Sequence, residues 1–565
     1  MNTIRGVASR YIFAITAILG INMVASAQDR VYISVDASKT KETMKPIWAW
    51  VGYDEPNYTY MPNGRKLLTE LSELSPVPVY VRVHNLLCTG DGAHALKWGS
   101  TNAYTETKKG KPIYNWVIVD SILDVFVSRG MKPLVEIGFM PKALSIKPEP
   151  YEHHWSPDIP YEEIYTGWTY PPKDYDKWRE LVYQWALHCI KRYGREEVDT
   201  WFWEVWNEPD IGYWSGTHEE FCKLYDYAAD GLTRALPNAR IGGPETTDPT
   251  NPHAADYLRR FLEHCLYGKN YATGRTGAPL GYISFHAKGA PTFIEHHVRM
   301  NIGRQLANIN RGFEIIASYP ELKDVPVVIG ESDPEGCAAC SVDFNPQNAY
   351  REGTMYSSYT AASFARKYEL ARRYGINFAG AVSWSFEFEG QPMFAGFREL
   401  ASGGIDKPVL NVLRMFGLMG GKLAEAESTG MIATDDIIKH SVRRKADVHA
   451  LASVDDHRIS VMVWNYHDDD VKGDTCHINL QINGIRSDNA MLHHYRIDDD
   501  FSNAYSTFKK MGAPQSPTPE QYSTLERSGQ LHLFTSPAWQ RVSDGRLPIA
   551  FDLPRQGVSL IQITW

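Results

Sequence analysis

Between residue 47 and Gly421 the chain repeats one unit eight times, a short apolar run followed by a longer amphipathic stretch. The runs are 47–53, 79–84, 133–138, 200–206, 239–243, 282–286, 327–330 and 378–385. They are rich in Val, Ile and aromatic residues and lack the alternation of a half-exposed strand, as expected where both faces are buried. The stretches 175–193, 219–236, 255–267, 298–319 and 350–374 carry helical spacing. Two of them end in Tyr-Gly (Tyr193-Gly194, Tyr374-Gly375), where glycine suits a left-handed C-terminal position. Eight strand–helix units predict an α/β chain built on a (β/α)8 TIM barrel.

Past Gly421 the pattern changes. The runs 461–464, 477–482, 492–497 and 558–564 are short, alternating or β-branched, and separated by Asp, Gly, Asn and Ser. That is the signature of an accessory β-sandwich. An early run, 31–35, precedes the barrel and is expected to add an edge strand to it. The chain therefore divides into a leader (1–27), an N-terminal strand (28–40), a catalytic barrel (41–421) and a β-sandwich (422–565). The acidic triplets 468–470 and 498–500 read as solvated turns, because the oxygen spacing of a calcium loop is missing.

The 565 residues carry a net charge of −9, which argues against nucleic acid or an anionic membrane as partner. Sixteen Trp and 32 Tyr suit the CH-rich faces of sugars, although most belong in a core. At the N-terminus, Arg5 and Arg10 precede a largely apolar stretch and a small-x-small site, Ala25-Ser26-Ala27. This reads as an export signal for a periplasmic or secreted protein; the segment is short and polar for a membrane anchor. Of seven cysteines only Cys337 and Cys340 are close, either as a local disulfide or as two free thiols.

Two carboxylates stand at strand ends. Glu208 follows the fourth run, in Trp203-Glu204-Val205-Trp206-Asn207-Glu208-Pro209, and Glu331 closes the seventh. C-terminal strand ends line the active site of such a barrel, so the two acids can flank one scissile bond. Asn207 is placed to hydrogen-bond a sugar hydroxyl, whereas Glu204 lies deeper and needs a buried partner. Glu245, Asp333, Glu335, Glu387 and Glu389 compete for the same pocket. A zinc site using His84 and His286 with one of the acids is the rival reading, but no close ligand spacing supports it.

These residues resemble a known family. The motif Trp203-Glu204-Val205-Trp206-Asn207-Glu208-Pro209-Asp210 is similar to the acid/base motif of family 39 glycoside hydrolases, which hold β-xylosidases and α-L-iduronidases. Ile241-Gly242-Gly243-Pro244, the stretch from Tyr282 through His286-Ala287-Lys288-Gly289, and Val81-Arg82-Val83-His84 support the likeness. The resemblance implies Glu208 as acid/base and Glu331 as nucleophile of a retaining exo-glycosidase that needs no metal or cofactor. It also implies sugar contacts from His84, Asn207, His286, Lys288, Trp384 and one of Glu387 or Glu389.

Within the family the stretch Glu331-Ser332-Asp333-Pro334 leans toward the iduronidase branch. There Lys288 would meet a uronate, aided by an Arg where this chain has Asp406. A carboxylate at 406 is expected to repel a uronate by roughly 1 kcal/mol or more. The carbohydrate substrate is therefore expected to be a neutral sugar, with a pentoside such as β-D-xyloside first. Iduronide and galactoside cleavage are the alternatives, and a silent carbohydrate-binding protein is the alternative of another class. The loops 87–115 and 146–172 are long enough to wall the pocket, with Trp155, Tyr161, Tyr165, Trp168 and Tyr170 as a leaving-group subsite.

Overall fold

A computed structural model of the chain describes residues 30–150, 167–336 and 340–565. Eight parallel staves form the barrel in sequence order: Trp50–Tyr53, Tyr80–Val83, Lys132–Ile137, Phe202–Val205, Arg240–Thr246, Tyr282–His286, Val327–Glu331, and a last strand in two pieces, Phe378–Ala381 and Ser383–Trp384. The break in the eighth strand lets its first piece pair with the seventh and its second piece with the first. The ring thus closes without an edge. Nearly every residue of these strands is buried on both faces, which is why the sequence shows continuous apolar runs. Inside the barrel, Trp50, Leu134, Phe202, Tyr282, Val328 and Trp384 pack as a plug, leaving the C-terminal mouth for polar groups.

The helices form where helical spacing is read. Tyr175–Tyr193 has the expected bounds, capped by Asp174 accepting from the Asp176 and Lys177 amides. His218–Ala235, Pro252–Tyr267, Ile302–Ala317 and Thr354–Tyr374 lie within four residues of their predicted ends. Of the two Tyr-Gly ends, Gly375 takes the left-handed cap (φ 64, ψ 31). Gly194 instead has φ 87 and ψ 148 and turns the chain directly into the short helix Arg195–Val198.

The second unit is a sandwich-like mixed sheet of nine strands around its own apolar core. Its N-terminal strand, Arg30–Thr43, is not at an edge. It lies between Lys422–Ser428, antiparallel, and Cys476–Asn483, parallel, with the whole barrel inserted in the connection. The strand's outer-inner alternation, with Val31, Ile33 and Val35 buried, fits an interior place. The four expected C-terminal strands are present, and four more were not read from sequence. His532–Arg541 shows why, since it is exposed along nearly its whole length and so carries no period-two signal. The acidic triplets are not simply solvated: Asp468 is buried and accepts from the Tyr466 hydroxyl at 2.8 Å, while Asp469 pairs with Arg299. Cys340 is disulfide-bonded; its expected partner Cys337 lies outside the described residues, as do the leader and Trp155, Tyr161 and Tyr165. Among the described residues no helix is long and apolar enough to cross a membrane.

Candidate active site

Strand-end position puts the two candidate carboxylates at the mouth. Glu331 ends the seventh stave and is buried. One oxygen lies 3.3 Å from the Arg82 guanidinium and 3.5 Å from His84 Nε2; the other lies 2.5 Å from Lys288 Nζ and 3.8 Å from His286 Nδ1. Burial pushes its carboxyl up, but Lys288, His286 and His84 outweigh that and hold it well below the usual carboxylate range. An ionised carboxylate at the mouth of a dry barrel is the form a nucleophile needs.

Glu208 follows the fourth stave on a left-handed turn (φ 45) whose amide donates to the Glu245 carbonyl at 3.0 Å. A non-glycine residue there marks a backbone held by its surroundings, as functional sites often are. Its Oε1 accepts from His286 Nδ1 at 2.8 Å, and His286 Nε2 lies 3.1 Å from Glu245. Burial pulls the His286 ring down, but Glu331, Glu208 and Glu245 push it up to about 9, so it is an imidazolium at neutral pH. An oxygen of Glu208 and one of Glu331 lie within 4.8 Å of each other, with His286 between them.

Beneath this pair sits a second ring of buried acids, of which Glu245 was read as a competitor for the pocket and Glu204 as a deeper group in need of a partner. Arg82, on the second stave, grips Glu204 with Nε at 2.8 and 3.0 Å, and donates from NH2 to Asn207 Oδ1 at 3.0 Å. Glu204 thus has the buried partner it was expected to need. Burial pushes Glu204 well above the carboxylate range, with Glu245 beside it adding to the rise. Glu245 is the opposite case: burial raises it, but Arg82, His286 and a hydrogen bond from Glu204 bring it to about 2. Of these two carboxyls the proton is favoured on Glu204, and Glu245 lies 3.1 Å from His286 Nε2.

Asp54 and Lys97 were missed. Asp54 follows the first stave and accepts from Lys97 Nζ at 2.9 Å and Arg398 at 2.8 Å, and its Oδ1 lies 2.8 Å from His84 Nδ1. Burial raises its carboxyl, but Lys97, His84 and Arg398 hold it well below its ordinary value. The strand-end rule that singled out Glu208 and Glu331 applies equally to Tyr53-Asp54. Lys97 comes from the long loop after the second stave, which does wall the cavity.

The structure brings His84, Asn207, His286 and Lys288 to Glu208 and Glu331, but not the other expected contacts. Trp384 is fully buried, with the Arg82 guanidinium 4.8 Å and the Arg398 guanidinium 5.6 Å from its ring centre and the His84 ring at 4.6 Å. It supports the charged layer from below and offers no open face to a sugar. Glu387 is buried and accepts from the Gly404 amide, burial and Glu399 pushing it up to about 8. Glu389 accepts from the Asn63 amide at 3.2 Å. Neither lines the cavity. Asp406 is buried against the barrel's last helix, its Oδ2 2.6 Å from Arg414 and accepting from Gln530 at 3.0 Å. It neither meets a sugar hydroxyl nor repels a uronate. Trp168 is also buried, donating from its indole to the Pro148 carbonyl.

The cavity holds about 470 Å³. Among the described residues its wall carries five carboxylates, Asp54, Glu208, Asp248, Glu331 and Glu335. Three strong cations, Lys97, Lys288 and Arg304, face them, and each lies against an acid: Asp54, Glu331 with Asp333, and Asp248 respectively. Two donor sets, Asp54–His84–Glu331 and Glu208–His286–Glu331, are compact enough for a metal ion. Their donor chemistry argues otherwise, since both Glu331 oxygens already face cations and His286 is itself charged.

The family model for glycosyl hydrolases of family 39 matches residues 31–541. A β-xylosidase from Geobacillus stearothermophilus is 25% identical over 493 residues, 86% of either chain. An α-L-iduronidase from Mus musculus is 24% identical over 537 residues, 89% of this chain and 76% of that one. Among solved structures, a monomeric β-xylosidase from Caulobacter crescentus superposes with a TM-score of 0.72 at 20% identity, covering 94% of this chain and 99% of that one. A bacterial orthologue of human α-L-iduronidase gives 0.73 at 19%, covering 95% and 84%.

Proposed function

Because the chain belongs to glycosyl hydrolase family 39, and is a glycoside hydrolase, we propose that it works by retention and releases a neutral sugar, a β-D-xylosyl or related pentosyl unit, from the non-reducing ends of oligo- or polysaccharides. The observation that carries retention is the approach of Glu208 and Glu331 to within 4.8 Å. Direct attack needs carboxyl groups about 5–5.5 Å apart, whereas a positioned water needs about 6.5–9.5 Å. In this reading Glu331 attacks the anomeric carbon while Glu208 donates a proton to the leaving oxygen. Glu208 then takes a proton from the water that frees the sugar from Glu331. Lys288, His286 and His84 keep Glu331 ionised until it reacts.

The neutral glycone rests on charge. A uronate entering the cavity finds each of its cations, Lys97, Lys288, Arg304 and the His286 imidazolium, already lying against an acid. The cavity is of small-ligand size, which supports cutting from chain ends. The export signal read at residues 1–27 places the reaction in the periplasm or outside the cell.

A panel of nitrophenyl glycosides (xylose, arabinose, galactose, glucose, iduronic acid), with the anomer of the first product followed by NMR, tests the proposal. Xyloside or arabinoside cleavage with retained configuration is expected. Cleavage confined to iduronide, or an inverted product, overturns it. Glu331→Ala is expected to lose nearly all turnover, with azide giving back a glycosyl azide of inverted configuration. Glu208→Ala should lose far less on substrates with good leaving groups; equal losses on all leaving groups would contradict its acid role.

A further inference from the structure

Away from Glu208 and Glu331, a dense run of like charge lies at 439–445. It reads Lys-His-Ser-Val-Arg-Arg-Lys, four strong cations and a histidine in seven residues of a chain whose net charge is −9. The run ends helix Thr434–His440 of the second unit and continues into the loop after it. It is fixed onto the barrel mouth by the start of helix Ile302–Ala317. The Gly303 amide donates to Ser441 Oγ at 2.9 Å, and Arg443 donates to Asn301 Oδ1. The approach is close enough that a Cβ on Gly303 would stand 2.3 Å from the Ile437 carbonyl oxygen.

Between the two elements runs a groove whose charged wall is Arg304, Lys439, His440 and Arg443, with no carboxylate lining it among the described residues. Ala290 and Arg304 wall both this groove and the catalytic cavity, so the two adjoin. Arg444 and Lys445 extend the basic wall outward, with Asp436 the one acid beside them. Lys439, His440, Arg444 and Lys445 are exposed and enter no ion pair among the described residues. Arg304 pairs with Asp248, and Arg443 stands 4.0 Å from Asp468.

We propose that the groove receives the leaving side of an acidic saccharide, so that the enzyme removes a neutral end sugar from a chain bearing uronate carboxylates or sulfate esters. This rests on the glycosidase reading above. The two charge fields then sort one substrate by position. The acid-rich cavity disfavours an anion at the glycone, while the basic rim attracts it one or two sugars further on. A solubilising surface would need neither unmatched cations at the mouth nor a place adjoining the cavity.

The test compares kcat/KM on xylosides whose second sugar is glucose, glucuronate or a 6-sulfated hexose. It uses the whole enzyme and its Lys439→Ser/Arg444→Ser/Lys445→Ser variant. Expected is a preference for an acidic leaving sugar of about tenfold, the size of two or three exposed ion pairs. That preference should fall away in the variant. It should also fall as salt rises from about 0.01 to about 1 M, where the screening length shrinks from about 30 to about 3 Å. The carboxylate and sulfate arms tell which anion is preferred. Equal rates on neutral and acidic substrates, or a preference that survives the variant, overturn the proposal. If none of the three is cleaved, the xylosidase reading fails instead. Calorimetric binding of tetragalacturonate and a sulfated tetrasaccharide then decides for the groove: loss of binding in the variant supports it, and no binding to the unaltered enzyme overturns it.

Discussion

At the scale of single residues, His286 ties the two carboxylates together, and its charge depends on Glu245 beneath it. Its value of about 9 lies above the ordinary 6.5, so the ring loses its proton as pH rises through about 9. Above that point Nδ1 and Nε2 no longer both donate, and the hold on Glu208 weakens. Glu245→Gln removes one of the three acids that raise the ring. The alkaline limb of the kcat/KM–pH profile should therefore move to lower pH, with turnover at the optimum reduced. A limb that stays in place would show that His286 does not govern it. The same residue scale explains why Asp406 misled sequence reading. Its place before Lys407-Pro408 was legible, but its side chain turns to Arg414, which no local pattern announces.

Among the elements, the seventh stave is the most constrained. Gly330 precedes Glu331, and a Cβ there would stand 1.7 Å from Glu245 Oε2. Only a glycine lets the nucleophile's strand pass that close to the buried acid layer. Gly330→Ala should cost about 1–3 kcal/mol through overpacking, a fall in Tm of about 1–3 °C in a chain this long, and lose most activity because Glu245 and His286 must shift. A variant with unchanged Tm and rate would mean that Glu245 has room to move. Elements with both faces buried, such as this strand, were readable because burial leaves no choice of residue type. Exposed ones, such as His532–Arg541, were not, since water accepts any pattern.

Across the whole molecule, the barrel and the sandwich-like unit are joined by buried polar contacts as well as apolar packing. Arg366, on the helix after the seventh stave, reaches Asp447 at 3.1 and 3.2 Å, and Asp447 also accepts from the Trp464 indole at 2.9 Å. Both Arg366 and Asp447 are buried. Asp447→Ala leaves a buried guanidinium without its counter-charge and should cost about 3–5 kcal/mol. Thermal unfolding of that variant should remain a single transition at lower temperature. A barrel transition unmoved while a separate sandwich transition falls would show the two units to be energetically independent. The basic run at 439–445 belongs to this scale too, because the second unit carries it and the Gly303 amide of a barrel helix donates to its Ser441.

The family resemblance supplied His84, His286 and Lys288, while periodicity, burial and strand-end position sufficed for the eight-stave barrel, the appended β unit, Asn207 and the acids Glu208 and Glu331. The latter follow from short-range rules, in which one face or one strand end has one destination. What tertiary packing alone decided was which further groups join the charged layer and which stay out of it. Arg82, Asp54, Glu245 and Lys97 are brought in from four separate staves and loops, while Trp384, Glu387 and Glu389 are turned away from the cavity. A buried charge must find its partner in space, and that partner's distance along the chain is free to take any value.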